Sequence, residues 1–472
     1  MKAIVIYSLL ASLCAGFQSA MAMDVFATER DVSRTAIKDI NNSTWLCEVG
    51  PVPALLTLTL NEMIERVLCH DPETRQAWAS AKVQAALVGV KQSAYLPRLS
   101  GSSSVTSGRN DTTYEQRGDY SSRGHQRQLD NRLTLSWVLF DFGRRESALR
   151  NARHLLVAAN ANQDSQLQEA FVLAAQLYYD TLAAQRSQVA ATQVATLAAE
   201  NLKAASAKYE AGAAALSDRL QAQTAYSQAR LNEVRGNGAL RSAKGLIAMR
   251  MGLPPQTPLE LAGSLSRRPD THFVKNVDEL LEQARQDHPS LIAAKAKLDA
   301  AKAAIDESKA SGRPTLSFIA SISDVQTNQS IALNGDSHLR ENSVGLQLNI
   351  PLFEGFERTY QIRGAQAKFE TSKAELSDIE QRISMELWTN YQSLKTETHS
   401  LEKTAEWVEQ SSQALQVMQG RYRSGVGNMI ELLNALTAYA AAEQQHINTL
   451  NSWQLARLKL AASLGRLGFW TL

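Results

Sequence analysis

The 472-residue chain repeats itself, and no other feature constrains its fold as strongly. His70-Asp71-Pro72 is matched by Asp287-His288-Pro289, 217 positions on at the prolines, and Pro97-Arg98-Leu99 by Pro314-Thr315-Leu316 at the same offset. Further along the offset becomes 213. Trp137-Val138-Leu139-Phe140-Asp141 then answers to Ile350-Pro351-Leu352-Phe353-Glu354, and Tyr209-Glu210-Ala211-Gly212 to Tyr422-Arg423-Ser424-Gly425. Ala225-Tyr226 and Met251-Gly252 likewise match Ala438-Tyr439 and Leu464-Gly465. One loop between Pro97 and Phe140 is therefore four residues longer in the first copy. Matches in this order at one offset mean two copies of one structural unit, about 57–264 and 273–472, with a linker at 265–272.

Each copy has the same internal plan. A short helix ends near His70 or His288, and Asp71-Pro72 supplies an N-cap followed by proline at the first helical position. A helix follows, from Pro72 to Tyr95 in the first copy. Two strands come next, expected near 98–107 and 130–140, and again near 314–325 and 342–352. The second pair is the clearer one. Leu316, Phe318, Ala320 and Ile322 alternate with small or polar residues, as do Val344, Leu346, Leu348 and Ile350. Then come two helices without a proline, from about Arg144 to Ala211 and from Glu357 to Ser424, each about 100 Å long at 1.5 Å per residue. Only 11 prolines and 6% aromatics make such lengths possible and suit a turn-rich enzyme poorly. From Leu376 to Tyr422 the apolar stripe takes 13 steps over 46 residues, a period of 3.54 that predicts coiled-coil packing. Shorter helices close each copy, near Leu216–Arg250 and Met429–Ser463. Laid end to end with the 72–95 helix, such a helix nearly equals the long one in length.

The first residues read as an address. Lys2 precedes an apolar run from Ala3 to Phe17, and Ala20-Met21-Ala22 supplies the small residues of a cleavage site, so 1–22 is expected to be a signal peptide. The run is too short for a membrane anchor, and Leu13 before Cys14 does not suit a lipoprotein. Residues 23–56 form an N-terminal segment. The exported chain keeps Cys47 and Cys69, and an isolated pair in an oxidising compartment points to a disulfide. A zinc site from these two and His70 lacks a fourth ligand and paired spacing. The 49 basic residues against 47 acidic ones exclude a strongly basic nucleic-acid binder. A mean hydropathy of −0.26 excludes a multi-span helical membrane protein. No nucleophile, metal or phosphate-loop constellation stands out. Asp141-Phe142-Gly143 lacks the companion motifs of a kinase, and Gly236-Asn237-Gly238 lacks a phosphate-loop setting. The chain therefore reads as a non-enzyme that needs no cofactor.

Four strands cannot close a barrel, since eight or more are required, and lipid does not tolerate an open sheet edge. Strands of bilayer length in an exported chain therefore call for several chains sharing one barrel. Two chains give eight strands and three give twelve. Trp137, Phe140, Phe142, Phe318, Phe353 and Phe356 lie near strand ends, where an aromatic girdle belongs. A soluble hairpin resting on helices is the alternative.

The tandem halves, Tyr95-Leu96-Pro97, Phe140-Asp141-Phe142-Gly143-Arg144, Pro351-Leu352-Phe353-Glu354-Gly355 and Arg421-Tyr422-Arg423-Ser424-Gly425 together resemble the TolC family of outer-membrane efflux and secretion channels. Cys69-His70-Asp71-Pro72 followed by Thr74-Arg75-Gln76-Ala77-Trp78 resembles the CyaE branch, which serves type I secretion. The resemblance implies a mainly α protomer with a small β part. It also implies a homotrimer whose twelve-stranded β-barrel in outer-membrane lipid joins a twelve-helix α-barrel in the periplasm. The implied partners are a periplasmic adaptor and an inner-membrane ABC transporter or other pump, with no nucleic acid. The implied function is that of a passive exit duct for type I protein secretion. Efflux of small molecules with a proton-driven pump is the alternative, and a soluble periplasmic coiled-coil adaptor is the other. Glycine supplies the turns at Ala211-Gly212-Ala213 and Ser424-Gly425-Val426-Gly427. The resemblance makes these tips the adaptor docking surface. It also places Glu431 in the closed aperture, with Asn434 and Asp218 at related positions. Gly427 stands where the best-known members carry a locking arginine, so their salt-bridge lock is not expected here.

Overall fold

A computed structural model describes residues 24–32, 56–112, 122–263, 277–329 and 336–465. The signal peptide, the 265–272 linker and Cys47 lie outside these residues. Eight α-helices are described: α1 (Leu60–His70), α2 (Pro72–Ser93), α3 (Arg144–Glu210), α4 (Leu216–Arg250), α5 (Val277–Asp287), α6 (Pro289–Ala310), α7 (Glu357–Arg423) and α8 (Met429–Ser463). The long helices α3 and α7 have 67 residues each. Strands β1 (Leu56–Leu58) and β4 (Leu259–Leu261) form a small parallel pair. Strands β2 (Arg98–Thr112), β3 (Ser122–Phe140), β5 (Thr315–Gln329) and β6 (Ser337–Asn349) form one antiparallel sheet in the order β2-β3-β5-β6.

The chain divides into two compact units, and neither is a sequence repeat. One comprises residues 1–32, 81–158 and 295–375; the other comprises 33–80, 159–294 and 376–472. Each unit thus takes segments from both copies.

The first unit holds the four-stranded sheet. Its strands run further toward the hairpin loops than apolar alternation indicates, because ladder hydrogen bonds continue through polar residues such as Arg109↔His125 and Gln326↔His338. At the other end the last strand stops at Asn349 rather than at 352, since Pro351 has no N–H for a ladder. Helix α2 ends at Ser93 rather than Tyr95. There Tyr95 and Leu96 donate to Gln92 and Ser93 carbonyls in a turn that leads into Pro97. Arg145 gathers the strand-to-helix junction. Its guanidinium donates to Asp141 Oδ2 at 2.8 Å, to the Val138 carbonyl at 2.7 Å and to the Ala94 carbonyl at 3.3 Å. It also lies 4.7 Å over the Tyr95 ring. Asp141 in turn accepts from the Arg145 N–H at 3.0 Å, so it caps α3 as well as pairing with the side chain.

The second unit is a helical core. The α7 stripe buries Leu387, Leu394, Leu401, Leu415 and Tyr422 on a seven-residue repeat, in which the half-buried Val408 fills the step between Leu401 and Leu415. Thr404 and Ser411, not their neighbours Ala405 and Ser412, are the buried members of the second seam. Trp453 on α8 is fully buried and donates its indole N–H to Thr398 Oγ1 at 3.1 Å. Asp71 caps α2 by accepting from the Thr74 N–H at 3.2 Å and lies 3.6 Å from Arg250. Cys69 is held in a disulfide.

Candidate functional site: the hairpin tips

The long helices end in one shared motif. At Gly212 φ is +72° and at Gly425 it is +84°, values that a side chain disfavours. Gly212 N–H donates to Tyr209 and Ala213 N–H to Lys208, at 3.0 and 2.8 Å; Gly425 donates to Tyr422 and Val426 to Arg421, at 3.2 and 3.0 Å. Both tips are therefore Schellman turns, and the glycine requirement read from the sequence is met at both.

Beyond the turns the two tips differ. Helix α4 starts at Ala215, which has no side-chain cap. Helix α8 starts at Asn428, whose side chain accepts from the Glu431 N–H at 2.8 Å while its amide donates to Glu431 Oε1 at 3.0 Å. The other Glu431 oxygen lies 4.0 Å from Arg421. Glu431 is thus half-exposed but already engaged within its own hairpin. Asn434, one turn on, is exposed. Asp218 occupies the first turn of α4, with Ser217 Oγ at 3.5 Å. Gly427 donates to the Arg421 carbonyl at 3.0 Å, and a Cβ there would meet Arg421 Cβ at 3.1 Å. A long side chain at 427 would have to displace that turn.

One apolar cluster joins all four tip helices. It includes Ala198 and Ala205 from α3, Ala222 from α4, Tyr422 from α7, and Met429 and Leu432 from α8. Small residues on α3 and α4 let the backbones approach the larger α7 and α8 side chains. Lys208 crosses from α3 to α7: it donates to the Tyr422 carbonyl and its ammonium lies 4.4 Å over the Tyr422 ring. Arg423 and Glu200 approach to 3.7 Å across the same helix pair. The Tyr422 hydroxyl is buried without a hydrogen-bond partner among the described residues. Burial first, and then the charge of Asp218, push its pKa above the ordinary value. The structure thus ties Asp218, Tyr422 and Lys208 into one neighbourhood, which the repeat and the stripe do not reveal. Only Tyr422 carried a signal, as the last member of that stripe.

Among the described residues no group of three or more His, Cys, Asp or Glu is placed to hold a metal, and no helix is long and apolar enough to cross a membrane. What the tips offer is a pair of helical hairpins clasped by one cation–π contact and exposed ion pairs, the kind of contact worth about 1 kcal/mol or less each.

The sequence profile of outer membrane efflux proteins matches residues 63–248 and again 280–466, one match within each repeat. The chain belongs to the outer membrane efflux protein family. The family is one of transport channels of the Gram-negative outer membrane. Protein CyaE of Bordetella pertussis is 31% identical over 427 residues, covering 90% of this chain and 87% of that one. The outer membrane efflux protein BepC of Brucella suis is 23% identical over 88% of this chain and 87% of its own length. Among solved structures the outer-membrane channel OprN superposes with a TM-score of 0.72 at 21% identity, covering 88% of this chain and 91% of that one. VceC of Vibrio cholerae gives 0.69 at 20% identity, with 87% and 96% covered. The fold is therefore that of this family: mainly α, duplicated, with a small β part that, among the described residues, comprises one four-stranded sheet and the short β1–β4 pair.

Proposed function

We propose that this chain is the outer-membrane exit duct of a type I protein secretion system, working as a homotrimer. The sheet carries the argument. Its β2 and β6 edges have no partner strand among the described residues, while Leu99, Val344, Leu346 and Leu348 stand exposed on its strands. Such a sheet is stable in lipid only when other copies complete the ladder, and three copies give a twelve-stranded barrel. The likeness to CyaE favours protein cargo over small molecules. The duct does no chemistry and uses no energy of its own. An inner-membrane ABC transporter supplies the energy, and a periplasmic adaptor docks at residues 211–213 and 424–427. Three copies of Glu431, with Asn434 and Asp218 nearby, line the closed aperture, and release of the Lys208–Tyr422 clasp accompanies its opening. The disulfide partner of Cys69 is Cys47.

Deletion of the chain in a strain carrying the transporter and adaptor tests the cargo. Loss of the secreted protein from the medium with unchanged drug susceptibility is expected. Intact secretion with raised susceptibility refutes the secretion reading in favour of efflux. A monomer that stays soluble without detergent refutes the channel itself. For the aperture, Glu431→Ala should shift the reversal potential of the reconstituted channel; an unchanged cation preference removes Glu431 from the pore.

A further inference from the structure

The lipid-facing side of the sheet has a second feature beyond its apolar band. Register places Leu99, Leu135, Ala320 and Val344 side by side, with Gly101, Leu133, Ile322 and Asn342 on the next rung of the same face. On β2 and β3 the apolar residues continue to Val105 and Leu129, which face each other; on β5 they stop at Ile322 and on β6 at Val344. The band edge therefore slants across the strands, as it must where strands tilt about 40° in a barrel. Immediately along this slanting edge, on the loop side, the same face carries a row of bases. Arg127 follows Leu129 by two residues on β3. Arg109 follows Val105 by four on β2, and Arg340 lies four beyond Val344 on β6, with His338 next to it. These side chains are exposed, Arg340 to 74% and Arg109 to 61%. Two aspartates share the face. Asp324 sits between His338 and Arg340, and Asp111 lies 3.4 Å from Arg109. Three arginines and two histidines, His338 and the His125 opposite Arg109, thus share the face with two carboxylates, and no ion pair to Arg127 is present among the described residues.

We infer that this slanting row is a binding belt for the phosphate groups of a phosphorylated outer-leaflet glycolipid. It rests on the outer-membrane placement of the sheet. The depth is right: the arginines begin about 7–14 Å along the strand past the last apolar residue, at 3.4 Å per residue, where acyl chains give way to headgroups. The charge is right: guanidinium forks pair with phosphate oxygens, and long basic side chains at an apolar edge reach outward to the interface. Asp324 holds Arg340 and His338 to one side of β5 and β6, which keeps the row in the plane of the headgroups. A closed trimer repeats the row three times around the barrel.

The test uses the full-length trimer in bilayers of zwitterionic phospholipid, with or without a bis-phosphorylated glucosamine glycolipid. The phosphorylated glycolipid is expected to raise the temperature of trimer dissociation, and its dephosphorylated form to leave it unchanged. Arg127→Gln with Arg340→Gln should weaken glycolipid association by about five-fold per arginine and abolish the rise, without altering dissociation in zwitterionic lipid alone. An equal rise with the dephosphorylated lipid, with inorganic phosphate, or in the double variant overturns the belt. Conductance measured in the same bilayers is expected to be unchanged, so a missing lipid effect beside intact conductance refutes the belt and leaves the duct reading standing.

Discussion

Replacing His288 by aspartate should remove an acid sensitivity from one helix start without unfolding it. The two repeats open their 22-residue helices with different caps. In the first, Asp71 accepts from the Thr74 N–H; in the second, at the equivalent position, the His288 ring Nδ1 accepts from the Ser290 N–H at 3.2 Å. Only the neutral ring, protonated at Nε2, can accept there. Burial first, and then Arg382, lower the His288 pKa below the ordinary 6.5. The folded chain therefore binds fewer protons at this ring than the unfolded chain does. Its stabilising contribution is complete above the unfolded value of about 6.5 and is lost as pH falls below it. His288 lines a half-open cavity of about 610 Å³ whose charged walls are Glu169 from α3, Arg382 and Glu386 from α7, and Lys459 from α8. Asp287 precedes it on α5. A charged imidazolium would sit at a helix N-terminus beside Arg382, where the dipole disfavours it.

A lost N-cap costs about 0.5–2 kcal/mol, and about 1 kcal/mol corresponds to roughly five-fold in the opening equilibrium of the first α6 turn. Amide hydrogen exchange over 289–295, corrected for intrinsic rate, should show that loss of protection between pH 7.5 and 5.5 in the parent chain. In His288→Asp the protection should hold, because the carboxylate remains an acceptor and Arg382 favours its charge. A global melt cannot replace this assay, since burial lowers the pKa of His446 in the same direction. Equal pH dependence in both chains refutes the cap argument.

Other substitutions probe close approaches. Gly465→Ala should lower the trimer dissociation temperature more than Gly212→Ala. Both have positive φ, but a Cβ at 465 falls 2.7 Å from His288 Cα, whereas space at 212 is open; strain at 212 alone is about 1–2 kcal/mol. Arg145→Met should cost about 3–5 kcal/mol by leaving the buried Asp141 without its partner, read as protease cleavage near the strand-to-helix junction. Arg145→Lys should rescue it little, because one ammonium cannot reach Asp141 and three carbonyls together. At the tips, amides at the start of α4 should exchange faster than those at the start of α8, since Asn428 and Glu431 cap only the second. Equal protection contradicts that hierarchy.

The sequence made legible what rests on local chemistry. Gly212 and Gly425 announce left-handed turns, so the starts at Leu216 and Met429 follow from them, and Gly252 and Gly465 mark the corresponding ends. Period-two alternation locates the apolar middle of β5 and β6, and less clearly that of the first strand pair. Their polar outer thirds, such as 122–128, carry no such signal, because main-chain pairing there does not depend on side-chain pattern. Thr404 and Ser411 hide one seam of α7 behind polar names, although their hydroxyls are satisfied within the helix by Leu401 and Val408 carbonyls. The β1–β4 pair is three residues long and joins segments about 200 positions apart, so no window reveals it. Lys208 and Tyr422 meet only because two long helices lie side by side. The Arg145 junction likewise draws on Ala94, Val138 and Tyr95, which are adjacent only after folding.

That junction also explains why the two copies could drift without losing their shared frame. Arg145 and Arg358 occupy equivalent positions, and each pairs one turn back with an acid, Asp141 at 2.8 Å and Glu354 at 2.6 Å. The strand-to-helix turn is also shared: Phe142 and Phe356 both take φ above +50°, beside Gly143 and Gly355. What differs is the floor beneath the arginine. In the first copy Tyr95 stacks against the guanidinium. In the second the equivalent residue is Gly312, and a Cβ placed there would run into the Arg358 guanidinium. Arg145 is the more enclosed of the two and is held by three main-chain carbonyls, whereas Arg358 Nε is buried without a partner among the described residues. The first junction is therefore the rigid one and the second the looser, although the sequence signature at both is an acid, a glycine and an arginine. Duplication preserved the turn, which only a few backbone conformations can make. It left free the packing around the turn, which many side chains can satisfy.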